Sequence, residues 1–117
     1  MFLTLTQVAL GGAIGSLLRY VTVVAVGAPM ATVLVNVAGS FAMGAALVLL
    51  STRSALSPFV MTGVLGGFTT FSAFSADALK FWQSGQFVQA ALYIGASVGL
   101  SLLAVALGAA LAKGALG

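Results

Sequence analysis

Four apolar blocks run along this chain, each long enough to cross a hydrocarbon core of about 30 Å, which takes roughly 20 helical residues. The pattern predicts helices over residues 3–26, 30–50, 58–80 and 87–112. Gly27, Ala28 and Pro29 punctuate the first boundary, residues 51–57 with Arg53 the second, and Gln83, Ser84, Gly85 and Gln86 the third. Connections this short make neighbouring helices antiparallel. The third block stands apart because residues 63–75 read GVLGGFTTFSAFS. A membrane helix keeps its backbone hydrogen bonds to itself. A Gly-Gly-Phe-Thr-Thr step at that depth therefore predicts an interruption near 66–70, with the freed backbone groups received by protein or by a water-filled cavity. Interrupted membrane helices often hold ions.

Polar residues inside the blocks fall in rows. Thr32, Asn36 and Ser40 stand at i, i+4 and i+8, and Tyr93, Ser97 and Ser101 repeat that spacing, so each trio shares one helix face. Two such faces can line one path. The alternative is that the hydroxyls bond back to carbonyls of their own helix and Asn36 clips two helices together. Asn36 carries more weight than the serines, since a primary amide in hydrocarbon needs several partners. Phe68, Phe71 and Phe74 recur at every third position, with Ser72 and Ser75 offset by one. Such spacing usually serves packing, yet a ring turned edge-on presents its positive rim and favours a small anion. Arg19 either concentrates anions at an aqueous entrance or snorkels to the headgroups. Small residues four apart occur at Gly11 and Gly15, Ser40 and Gly44, Gly63 and Gly67, Gly95 and Gly99, and Gly108 and Ala112. Every block thus has a face suited to close helix packing.

Composition places the blocks in a bilayer. With 62% hydrophobic and 4% charged residues, the chain has too little polar surface to cover a soluble globule of 117 residues, and its mean hydropathy is +1.24. A single four-helix domain over 1–117 is expected. The first block is expected to be retained, because it has no basic start, runs too long for a signal peptide and contains Arg19. The chain has no cysteine and no histidine, which removes disulfides, thiol chemistry, zinc sites and imidazole catalysis. Asp77 is the only acid, so paired carboxylates and carboxylate metal cages are excluded within one chain. Lys80 follows three residues later, and a local ion pair near the helix end is expected. Neither a nucleophile triad nor a phosphate-binding loop can be assembled, and no enzyme activity is expected.

Charge bears on partners and on topology. The sequence pI of about 10.0 rests on four cations against one anion, too sparse a set to track a nucleic acid. Four crossings put Arg53 and Lys113 on the side of the termini and Arg19 and Lys80 on the other, two against two. The positive-inside rule then gives almost no orientation preference. One outcome is dual topology with an antiparallel two-fold dimer; the other is a single orientation set by weaker cues.

Three stretches carry a resemblance: GGAIGSLLRY at 11–20, NVAGSFAMG at 36–44 and GVLGGFTTFSAFSAD at 63–77. Through them the chain resembles the Fluc (CrcB) fluoride channel family over nearly its whole length. The GGxTTFSxFS pattern is the most specific of the three. The resemblance implies an all-α membrane protein of four transmembrane helices with the third interrupted, assembled as an antiparallel dual-topology homodimer. It further implies passive, selective export of fluoride across the cell's inner membrane, relieving fluoride toxicity, and no organic cofactor. Carried over residue by residue, it implies that the backbone carbonyls of Gly66 and Thr69 hold a structural Na⁺. Phe71 and Phe74 would line the fluoride path with Asn36, Ser72, Tyr93, Ser97 and Ser101, and Arg19 would stand at the vestibule. Asp77 matches an acidic position after the motif, and Ala73 stands where many members carry a hydroxyl.

Two readings from other classes remain. A proton-coupled exporter of drug-like cations needs a membrane-embedded carboxylate, for which only Asp77 is available. A structural assembly factor would use the polar rows as glue between helices.

Overall fold

Helix α1 spans Phe2–Val26 and stops at Gly27, whose φ of 84° suits a residue without Cβ and whose N–H returns to the Val23 carbonyl. Helix α2 follows at Met30–Leu49. The third segment starts at Pro58, where the missing N–H is harmless in a first turn, and winds as a π-helix over Pro58–Leu65. It continues as one α-turn, α3, over Gly66–Phe68, and resumes after Thr69 and Thr70 as α4, Phe71–Gln83. Helix α5 occupies Phe87–Leu116. The computed structural model describes residues 1–50 and 54–117, so the cation expected at Arg53 lies outside the described residues. Among the described residues all regular structure is helical, and four segments are long and apolar enough to cross a membrane: Phe2–Val26, Met30–Leu49, Pro58–Gln83 and Phe87–Leu116. The chain is an all-α, multi-pass membrane protein.

Its packing follows from a hydrocarbon solvent. Burying Leu or Val gains little when lipid is as apolar as the interior, so helices meet through small residues whose backbones approach closely. The only buried residues of α1 are Gly11 and Gly15, while Leu10, Leu17 and Val21 point outward. Those two glycines lie against the backbone of the third segment, at Phe59, Gly63, Val64 and Phe68, where an added Cβ would strike main-chain atoms. A second seam joins α2 to α5. Gly44 stands against Val105 and Ala109, and Gly108 against Phe41 and Ala45, again backbone to backbone. The Gly95 and Gly99 pair departs from expectation, because a side chain added at either would meet no atom of the chain. Its face of α5 points away from the other helices, and the α2–α5 seam runs through Ala104, Gly108 and Ala112 instead.

Two smaller features complete the frame. Gln7 of α1 donates from Nε2 to the Ala55 carbonyl at 2.7 Å, tying the start of α1 to the connection before the third segment. At the turn between α4 and α5, Trp82 and Phe87 stack edge-on with centroids 4.5 Å apart, both exposed, as suits a membrane interface.

Candidate functional site

Thr69 (φ −85°, ψ 157°) and Thr70 (φ −151°, ψ 124°) have extended backbones between α3 and α4. Each peptide group that leaves the helical ladder needs another partner at this depth. The Thr69 N–H still reaches the Leu65 carbonyl at 3.1 Å, and the Thr69 hydroxyl bonds the same oxygen at 3.0 Å. Thr70 is served from α2. Its N–H donates to Asn36 Oδ1 at 2.7 Å, and its carbonyl accepts from Asn36 Nδ2 at 2.8 Å. The amide thus meets both polar groups of one extended residue, as a neighbouring strand would. The Thr70 hydroxyl accepts from the Ala73 N–H at 3.2 Å and so caps α4. Gly39 lets α2 come this close, since the Thr69 methyl and the Phe68 ring fill the space a side chain there would need.

A third helix also reaches the step. Arg19 donates from Nε to the Gly67 carbonyl at 3.1 Å in a half-buried setting. Arg19 was expected at an aqueous vestibule or snorkelling to the headgroups, and its guanidinium also meets the backbone of the third segment. Among the described residues no donor reaches the carbonyls of Gly66, Phe68 or Thr69. Nor do the described residues contain a cluster of His, Cys, Asp or Glu able to hold a metal. Bare carbonyls are hard oxygen ligands, so those of Gly66 and Thr69 suit an ion such as Na⁺.

Beside the step runs an open groove of about 350 Å³ between α2, α4 and α5. Asn36 and Ser40 line it from α2, Thr70, Phe71 and Phe74 from the third segment, and Ser97 and Ser101 from α5. Two members of each polar row therefore line the same groove. Phe71 is 76% exposed, whereas Phe74 is 7% exposed, their centroids 5.3 Å apart and their planes tilted by 54°. Ser97 is 4% exposed, and its hydroxyl has no hydrogen-bond partner among the described residues. Asn36 keeps a second Nδ2 hydrogen beyond the one given to Thr70. The groove thus combines donors with ring edges, and among the described residues no charged side chain lines it.

Two residues expected on the path are elsewhere. Tyr93 does not line the groove: its hydroxyl donates to Asp77 Oδ2 at 2.9 Å, and its ring lies beneath Phe74 with centroids 5.5 Å apart. Thr32, at the same end of the other row, donates to that oxygen at 2.7 Å. A buried carboxylate needs donors, and these two hydroxyls provide them. Asp77 is 7% exposed and takes these partners in place of the expected ion pair with Lys80, whose side chain is exposed. Ser72 is also off the groove, exposed and 3.4 Å from the Thr70 hydroxyl, because the first turn of α4 carries it away from α2. Ser75 bonds back to the Phe71 carbonyl. Sequence reasoning did not single out Thr70; the available signal was a threonine directly ahead of a new helix, the preferred N-cap position.

Comparison with known proteins places this chain in a family. The family model described as "CrcB-like protein, Camphor Resistance (CrcB)" matches residues 6–109. The chain is 52% identical to a protein of Ruegeria sp. (strain TM1040) named "Fluoride-specific ion channel FluC", with 99% of each chain covered. Proteins of the same name from Paracoccus denitrificans (strain Pd 1222) and Rhizobium etli (strain CIAT 652) are 48% and 45% identical, covering 95% and 91% of this chain and 95% and 93% of their own. With matches that run from α1 into α5 and across the Gly66–Thr70 step and the groove, the chain belongs to the CrcB family.

Proposed function

We propose that this chain forms a fluoride-selective channel that lets fluoride leave the cell passively across the inner membrane and so relieves fluoride toxicity. The observation that carries the reading is the groove wall, where the Asn36 amide, the unpartnered Ser97 hydroxyl and the Phe71 and Phe74 rings converge without a charged side chain. Fluoride holds its hydration shell tightly, so a narrow path must replace water with donors along its length. Amide, hydroxyls and ring edges are such donors, and none binds so strongly that the ion cannot leave. The names of the relatives support the same ion.

Asn36, Phe71, Phe74, Ser97 and Ser101 form the pathway in this reading, with Tyr93 supporting Phe74 from below and Ser72 at the outer edge. The groove is open on one side, and an antiparallel second copy closes it. The carbonyls of Gly66 and Thr69 would hold Na⁺, whose charge would supply a fixed positive field near the anion path.

Liposomes loaded with fluoride and containing the purified protein are expected to release it once a potassium ionophore balances charge, with chloride retained. Equal release of chloride overturns the selectivity. Phe71→Ile is expected to suppress efflux while leaving the fold intact, since that ring is exposed in the single chain. A second reading draws support from the burial of Asp77, which supplies the membrane-embedded carboxylate a proton-coupled exporter needs. Proton flux driven by a cationic substrate, with no fluoride release, would favour it.

A further inference from the structure

Gly11, Gly15 and Arg19 are spaced by four, so they share the face of α1 that lies along the third segment. Close approach at the two glycines carries the guanidinium to the step, where it takes the Gly67 carbonyl. From the other side, Asn36 takes the carbonyl of Thr70. Gly67 and Thr70 are therefore capped by side chains from α1 and α2, while Gly66, Phe68 and Thr69 are not. Which oxygens remain for a cation is decided by neighbouring helices and not by the third segment alone.

We propose that Arg19 is a positioning residue that limits both the oxygen count and the charge the step tolerates, and thereby favours Na⁺ over divalent ions. This rests on the reading that Gly66 and Thr69 hold a cation. The Arg19 donor occupies one of the two lone pairs of the Gly67 carbonyl and leaves that oxygen a poorer ligand, which disfavours ions such as Ca²⁺ that take six to eight. The guanidinium stays charged at any accessible pH, and its repulsion on a divalent ion is twice that on a monovalent one at the same distance.

The test is thermal unfolding of the purified protein in detergent, followed by Trp82 fluorescence in NaCl, KCl and CaCl₂ at matched ionic strength. The wild type is expected to unfold at the highest temperature in NaCl. Arg19→Met, which removes donor and charge, is expected to lose the advantage of Na⁺ over Ca²⁺. Arg19→Gln keeps a donor and removes the charge, so it is expected to lose discrimination against Ca²⁺. An Arg19→Met protein with the wild-type order of ions overturns the inference and leaves the cation site standing. A wild type indifferent to Na⁺ overturns the cation site and the inference together. Should Arg19→Met not fold, Arg19→Gln decides: unaltered discrimination against Ca²⁺ overturns the role of the charge.

Discussion

Ser97 and Ser75 are chemically alike and differently placed. Ser75 returns its hydroxyl to the Phe71 carbonyl, whereas the Ser97 hydroxyl is buried without a partner in the groove wall. A buried polar group left unpaired costs about 1–3 kcal/mol. Ser97→Ala is accordingly expected to hold or raise the unfolding temperature while slowing fluoride efflux from liposomes; a loss of stability with normal efflux would make this serine helix glue. Asp77 is the opposite case, since its Oδ2 accepts from both Thr32 and Tyr93. Asp77→Leu strands two buried hydroxyls at about 1–3 kcal/mol each, and Asp77→Asn keeps an acceptor for them. Unfolding in detergent is expected to place the leucine variant well below wild type and the asparagine variant close to it. Spacing along one helix suggested Lys80 as the partner, but the actual partners lie 45 and 16 residues away in sequence. A single helix face carries no information about hydroxyls delivered from two others. The acceptor of Arg19, 48 residues away, was beyond the reach of spacing for the same reason.

At the scale of elements, the spans were legible because the length of an apolar block is itself the constraint a bilayer imposes. The seams were legible only in part. Small residues at four-residue spacing mark faces able to pack, and Gly11, Gly15, Gly44 and Gly108 do pack. Gly95 and Gly99 carry the same pattern on a face that meets nothing in the chain. Spacing identifies an approachable face without naming the helix that will approach it. Gly108→Leu is expected to push α5 off the Phe41 carbonyl and abolish the folded chain, since overpacking costs about 1–3 kcal/mol even where neighbours can shift, and backbone cannot. Gly99→Leu is expected to leave helix content and the unfolding temperature of the single chain unchanged. Circular dichroism on both proteins in the same detergent checks the contrast, and a collapse of the Gly99 variant would contradict the outward placement of that face.

For the whole molecule, the balance of cations bears on insertion. Arg19 and Lys80 oppose Arg53 and Lys113 in the predicted topology, and a chain without a charge bias can enter the bilayer both ways. A cysteine introduced as Ser54→Cys, in a chain with no cysteine of its own, is expected to react with impermeant maleimide from both faces of sealed vesicles in about equal amounts. Reaction from one face only would assign a single orientation and remove the antiparallel pair. The groove gives that pairing a further consequence. One chain supplies a trough walled by α2, α4 and α5, with Phe71 at its open edge. If the missing wall belongs to another copy, flux counts pairs and not chains, and at high dilution in lipid it rises with the square of protein density before pairing saturates. A cell making half as much of this protein would then lose up to three-quarters of its fluoride leak, and a copy that pairs but cannot conduct would silence functional partners as well as itself.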